Sequence, residues 1–257
     1  MAGKYAASNT DLASLRGRVA LVTGTGGGLG RAIAVRLGRA GCSVACHYAI
    51  NGVGAAATAE TITQAGGHAQ IFAGDLGDGD ARVALAGAVE RTLGSVDVLV
   101  NNAARTAFIP FEDFATASDT VWRELLELNL LAAVALVREL LPGMGARGFG
   151  RVLNVASTSA VEPEGSSLPY AVSKAALVAF TQGVAAVAPD GVTINALAPG
   201  WMDTDWATRQ GGERAGARAE ADVDAVADMA AALLGNGAVS GEVLVCDGGA
   251  RWRRRHA

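Results

Sequence analysis

The stretch LPYAVSKAA, residues 168–176, sets Tyr170 and Lys174 four positions apart in a run otherwise short of charge. Residues four apart share a helical face, so a phenol and an ammonium would lie one above the other. Proton transfer is the chemistry open to such a pair. A free tyrosine, with a pKa of about 10, is a poor acid or base at neutral pH, and a neighbouring cation favours its phenolate. Spacing alone does not separate that chemistry from two residues that merely share one side of a helix. The rest of the chain has to supply a cofactor and partners.

A second chemical signal lies near the start. RVALVTG (18–24) runs into TGTGGGLG (23–30), and a helical stretch opens at Arg31. Glycines after a strand let the backbone approach a pyrophosphate, and the helix N-terminus then faces the negative charge. The literal G-x-G-x-x-G fingerprint is absent; G-x-x-x-G-x-G stands at Gly24, Gly28 and Gly30. No G-K-[ST] follows, which excludes a mononucleotide P-loop. Two rivals remain, a purely structural turn and the first glycine motif of an adenosylmethionine-dependent methyltransferase. The latter carries an acidic residue just before its glycines, and Val22 and Thr23 stand there.

The elements that must position these residues alternate along the chain. Short apolar runs at 18–24, 42–48, 69–75, 96–103, 151–157, 192–200 and 242–249 each read as a buried strand. Between them lie Ala-, Leu- and Val-rich helical stretches at 30–40, 53–65, 80–93, 118–141 and 170–188. Strands without polar alternation, separated by helices, predict an α/β fold: a doubly wound, parallel, seven-stranded sheet covered on both faces. No linker divides it, so the expectation is a single domain over 16–250, between an N-terminal tail (1–15) and a basic C-terminal tail (251–257).

Bulk properties narrow the function classes. A net charge of -4 gives no general reason to expect nucleic acid. The closing RWRRRH reads as a solvated tail or a subunit contact rather than a nucleic-acid or membrane patch. The greasiest stretch, LLELNLLAAVALVRELL, is interrupted by Glu127, Asn129 and Arg138 and is no membrane span. Cys42, Cys46 and Cys246 lack the spacing of a zinc site or a disulfide set, and no metal is expected. The first residues contain no apolar signal-peptide core. A soluble, cytoplasmic protein is expected.

With TGTGGGLG, NNAA at 101–104, Asn129, Ser157 and YAVSK in this order, and Ser157 thirteen residues before Tyr170, the chain resembles the short-chain dehydrogenase/reductase family. It is similar to the single-domain branch that includes 3-oxoacyl carrier-protein reductases and many sugar and steroid dehydrogenases. LAPGWMDTD (197–205) and GEVLVCDGG (241–249) match in place and order. The resemblance implies a Rossmann fold and four catalytic residues, Asn129, Ser157, Tyr170 and Lys174. Tyr170 would exchange a proton with the substrate oxygen as hydride moves at the neighbouring carbon. Lys174 would supply the cation beside it and hold the nicotinamide ribose. Ser157 would hydrogen-bond the carbonyl oxygen. Asn129 would sit at a helix irregularity and hold a water leading protons to Lys174, unless it is simply a polar residue satisfied within its helix.

The resemblance also implies a dinucleotide site built from Gly24, Thr25, Gly28, Leu29 and Gly30 of the turn, with Tyr48, Asp75, Leu76, Asn102 and Ala103. Pro199, Gly200, Met202 and Thr204 would hold the nicotinamide end, with Tyr170 and Lys174. An acidic residue about twenty positions beyond the glycines binds the ribose of NAD. Tyr48 stands in that place, so NADP is expected, with NAD possible. Arg31 either helps hold the phosphate or faces solvent, and Asp75 could also cap the next helix. Phe108, Val161, Glu162 and Trp201 are candidate pocket walls. The 205–221 segment is shorter and more charged than the family's usual pair of helices, and reads as a mobile lid or a partly disordered stretch, either way leaving the pocket open. The partners implied are a small-molecule carbonyl or alcohol and further copies of the chain. Helices 118–141 and 170–188 are apolar on more than one face, with Ala171, Ala175 and Ala179 in a row, so a homotetramer is expected. An alternative of a different class is a dinucleotide-binding regulatory or scaffold protein without turnover.

Overall fold

A computed structural model describes residues 12–206 and 220–254. The apolar runs form β1 (Val19–Val22), β2 (Ser43–Tyr48), β3 (His68–Ala73), β4 (Val96–Asn101), β5 (Gly150–Val155), β6 (Val192–Pro199) and β7 (Val243–Cys246). They pair in one seven-stranded sheet of order β3-β2-β1-β4-β5-β6-β7, parallel at every pairing. β1, β4, β5 and β6 are buried along their whole length. Both of their faces are covered, which is why their sequences lack alternation.

The chain leaves β1 towards β2 on one side and returns to β4 on the other. That reversal opens a crevice at the carboxyl ends of β1 and β4, the place where open α/β sheets bind ligands. On one face lie α1 (Gly28–Arg39), α2 (Gly52–Gln64) and α7 (Val223–Gly235), with Ile33, Leu37, Ile62, Val226 and Ala230 in the core. On the other lie α3 (Gly79–Leu93), α5 (Ala132–Ala146) and α6 (Leu168–Ala185). There Leu85, Val89, Leu136 and Leu140 pack with Leu21, Leu99 and Ile194.

Three expectations are corrected. The helix expected over 118–141 is interrupted: α4 (Asp119–Leu126) passes into a π turn, Glu127–Leu131, before α5 begins. α5 then runs on past Pro142 to Ala146. The cap of α3 is Asp78, whose carboxylate accepts from Asp80 N, and not Asp75. The basic C-terminal stretch is no simple tail, since α8 (Ala250–Arg254) spans the expected boundary. Asp247 anchors that helix, accepting from Gly249 N at 2.8 Å and Arg251 N at 3.1 Å. No helix among the described residues is long and apolar enough to cross a membrane.

Candidate active site

β5 delivers Ser157 to the crevice just past its end. The chain extends at Ser157 and then turns through a short 3-10 helix, Thr158–Ala160. The Ser157 hydroxyl accepts from Ser159 N at 3.2 Å, which caps that turn and fixes the side chain. α6 delivers Tyr170 and Lys174. Ser167 caps it, accepting from Tyr170 N at 3.4 Å, and Pro169 occupies the first turn, where its missing N–H costs nothing. Tyr170 therefore stands in the first turn and Lys174 one turn along.

Lys174 is 2 % exposed, and its ammonium donates to the Val155 carbonyl at 2.7 Å. The nitrogen lies 5.8 Å from the centre of the Tyr170 ring. Burial lowers the lysine from 10.5 to about 7. It pushes the Tyr170 phenol up to about 12, against the opposing pull of a hydrogen bond with Ser157. The sequence-based expectation of a phenol made more acidic by Lys174 is thus corrected for the free protein. Lys174 is buried and Tyr170 is half-buried at the cleft, and the ammonium spends its strongest contact on a carbonyl rather than on the phenol oxygen.

Asn129 sits in the π turn, buried. Its Oδ1 accepts from Arg105 N, and its Nδ2 donates to Arg105 O and to Ser173 Oγ, each at 2.9 Å. Ser173 in turn donates to Tyr170 O at 2.7 Å. This chain fastens the interrupted helix to the first turn of α6, so Asn129 positions the Tyr170 helix and does not line the main cleft. A small cavity of about 10 Å³, lined by Thr23, Asn129 and Lys174 among others, lies between it and the lysine.

The main cleft, about 810 Å³, runs from the glycine turn to Trp206. Ser157, Tyr170 and Lys174 line it, as do Gly24, Gly28, Leu29, Gly30, Tyr48, Asp75, Leu76, Asn102, Ala103, Pro199, Gly200, Met202 and Thr204. Thr25 does not. It is fully buried and turned inward, its hydroxyl donating to His47 O at 3.2 Å. Arg31 does not line the cleft but is exposed to solvent, where it donates to Thr58 Oγ1 at 3.1 Å and Gly54 O at 3.2 Å, tying α1 to α2. Of the expected walls, Phe108 and Trp201 line the cleft, whereas Val161 and Glu162 do not. The backbone N–H groups of both donate to Thr158 O at 2.9 Å, a turn that carries the chain past the site before Glu164 re-enters it.

The turn itself is held shut from behind. Gly24 and Gly28 have φ of 73° and 54°, the left-handed region that favours glycine. A Cβ on Gly30 would fall 2.3 Å from Gly24 O and 2.4 Å from Asn102 Nδ2. Asn102 donates through that nitrogen to Thr23 O at 2.8 Å, so β4 braces the turn from one side. Asn51 braces it from the other, donating to Gly26 O at 2.7 Å while capping α2.

Residues that sequence reasoning missed therefore include Asn51, His47, Trp206 and Glu220, all of which line the cleft. Trp206 lies 6.2 Å from the Tyr170 ring, centre to centre. The Glu220 carboxylate accepts from Trp201 N at 3.1 Å, and Met202 pairs with Ala221. Both ends of the expected lid are thereby fastened at the cleft mouth. Its middle, 207–219, lies outside the described residues.

Comparison with known proteins gives concordant matches. A family profile described as short chain dehydrogenase matches residues 18–214. The chain is 36 % identical over 189 residues to nodulation protein G of Azospirillum brasilense, covering 73 % of this chain and 76 % of that one. It is 34 % identical to the 3-oxoacyl-[acyl-carrier-protein] reductase FabG of Pseudomonas aeruginosa, covering 75 % and 76 %. Among solved structures, a 3-oxoacyl (acyl-carrier-protein) reductase from Agrobacterium tumefaciens with NADP bound superposes with a TM-score of 0.82 at 31 % identity, over 93 % of this chain and 96 % of the other.

Proposed function

The chain belongs to the short-chain dehydrogenase/reductase family of NAD(P)-dependent oxidoreductases, and from that premise we propose that it interconverts a ketone and a secondary alcohol with a preference for NADP(H). The observation that carries the reading is one continuous cleft with the glycine turn along one wall and Ser157, Tyr170 and Lys174 along another. The glycine turn fits a dinucleotide, because Gly24, Gly28 and Gly30 line the cleft beside the N-terminus of α1 and present backbone there with no side chain in the way. Bound in the cleft, the nicotinamide supplies or accepts hydride.

The chain's own residues do the remaining work. Ser157 and Tyr170 both face the cleft, and the serine hydroxyl acts on the phenol, so a single substrate oxygen can meet both. Ser157 holds that oxygen and offsets the charge developing on it. Tyr170 gives it a proton in the reducing direction, which suits a phenol that burial keeps protonated through neutral pH. Lys174 places a donor below the phenol, where the ribose hydroxyls would come. Asp75 and Asn102 line the stretch of the cleft assigned to the adenosine half.

The preference for NADP(H) rests on Tyr48, Ala49, Ile50 and Asn51, which line the cleft where an acidic side chain would repel a 2′-phosphate. The NADP found in the Agrobacterium relative supports it. Fluorescence titration of the purified protein with NADPH and, separately, NADH tests the proposal. NADPH is expected to bind at least about tenfold more tightly, a difference of about 1.4 kcal/mol. Binding of neither would remove the cofactor reading altogether.

The same reading includes a homotetramer. Leu131, Val172, Ala175 and Ala179 leave an apolar strip exposed along the Tyr170 helix and its neighbour, a face that a second copy would cover. Light scattering that returned the mass of a monomer would end it.

A further inference from the structure

Behind the glycine turn stands a buried histidine that the proposed reaction does not use. His47, in β2, is 1 % exposed. Its Nδ1 lies 3.3 Å from Gly24 N, which can only donate, so this nitrogen accepts. Its Nε2 lies 2.9 Å from Gly74 O, which can only accept, so this nitrogen carries the proton. The two backbone partners thereby select the tautomer. The carbonyl of the same residue accepts from Thr25 N at 2.9 Å and from Thr25 Oγ1 at 3.2 Å. His47 is thus bonded to the turn at two successive residues, one of them the Gly24 that sits at φ 73°.

We infer that His47, as the neutral Nε2–H tautomer, is a positioning residue of the glycine turn, and that its protonation loosens the turn and weakens dinucleotide binding. The inference rests on the cofactor reading above. Once protonated, the ring carries a donor on Nδ1, facing the Gly24 N–H donor to donor. The ring cannot simply rotate, because Gly74 O holds its other end and only 1 % of the residue is exposed. Relief comes from moving the backbone at Gly24. That backbone also fits against Asn102 and under Gly30, so the distortion spreads through the cradle.

α3 packs against β2 and β3 and brings Asp80 and Arg82 in its first turn, the Arg82 guanidinium being spent on Leu76 O, Gly77 O and the Glu127 carboxylate. The turn facing Nδ1, residues 23–30, contains no titratable side chain, and neither does the start of α2, residues 51–57. Arg31 is occupied by Thr58 and Gly54. Burial holds the histidine below its ordinary 6.5, outweighing the hydrogen bond to Gly74 O and, from the end of β3, the charge of Asp75, both of which favour the protonated ring. The acid-sensitive range therefore lies below that value.

Calorimetric titration with NADP⁺ and with NAD⁺ from pH 5 to 8.5, on wild type, His47→Asn and His47→Leu, tests this. In His47→Asn the amide oxygen can accept from Gly24 N and does not titrate. Its affinity at pH 8 is expected within about threefold of wild type, with wild type losing roughly tenfold more than the variant on going to pH 5. His47→Leu is expected to bind weakly at every pH. Lys174 and, in NADP⁺, the 2′-phosphate (pKa about 6) titrate nearby, but in every variant alike, so the difference between proteins is the readout. Histidine ¹⁵N spectra of the free protein report the tautomer directly. Equal acid losses in wild type and His47→Asn, or a proton on Nδ1 at pH 8, overturn the inference while leaving the cofactor reading intact. Failure of wild type to bind either dinucleotide at pH 8 overturns both.

Discussion

Tyr170→Phe is expected to lower turnover by about a hundred- to ten-thousand-fold, with cofactor affinity changed less than about threefold, because only the proton-bearing oxygen is lost. The phenylalanine ring keeps the packing at Trp206 and the first turn of α6, so the fold and the glycine turn are untouched. Burial keeps the wild-type phenol protonated up to about pH 12, which gives the two directions different pH profiles. Ketone reduction uses the phenol as it stands and should stay level through neutral pH. Alcohol oxidation needs the phenolate and should rise by up to about tenfold per pH unit across the alkaline range. Steady-state rates in both directions, with a cofactor titration of the variant, check this. Full turnover in Tyr170→Phe would remove the phenol from the mechanism. Cofactor binding without any turnover in wild type, against a wide panel of ketones and alcohols, would favour the regulatory alternative.

How much of this was legible in the sequence depended on the range of the interactions involved. The parallel sheet was legible because β1, β4, β5 and β6 are covered on both faces, and double coverage removes polar alternation from the sequence itself. The π turn at Glu127–Leu131 was not visible as an interruption, since apolar residues surround Asn129 on several sides and hide the slip in period. An irregularity there was expected only through the family resemblance. Asn51, His47 and Glu220 escaped because their roles lie in contacts with Gly26, Gly24 and Trp201, between 19 and 25 residues away. Local pattern carries no trace of such partners. Four-residue spacing placed Tyr170 and Lys174 on one face correctly, yet the direction of their proton affinities came from burial, a property of the assembled site.

That burial makes Lys174→Met the second large prediction: turnover lost by about a hundredfold or more, together with a more stable protein near neutral pH. Lys174 titrates at about 7 in the folded protein and at 10.5 when exposed. Between those values the folded state binds fewer protons than the unfolded chain, so stability rises with pH across that window. Below about pH 7 the folded protein carries the full cost of a buried ammonium, a few kcal/mol by the size of the shift. Methionine removes that cost and fills similar space, but it leaves the Val155 carbonyl without its donor, which costs about 1–3 kcal/mol. The balance favours the variant at pH 6 by about 1–2 kcal/mol, or several degrees in melting temperature for a chain of this size. Above about pH 10 the cost of the ammonium has gone and the lost hydrogen bond remains, so wild type should be the more stable. Melting curves of the two proteins are therefore expected to cross between pH 7 and 10. A variant less stable at every pH would mean that the lysine charge is compensated in the folded protein, and that Lys174 is held there for stability rather than at its expense.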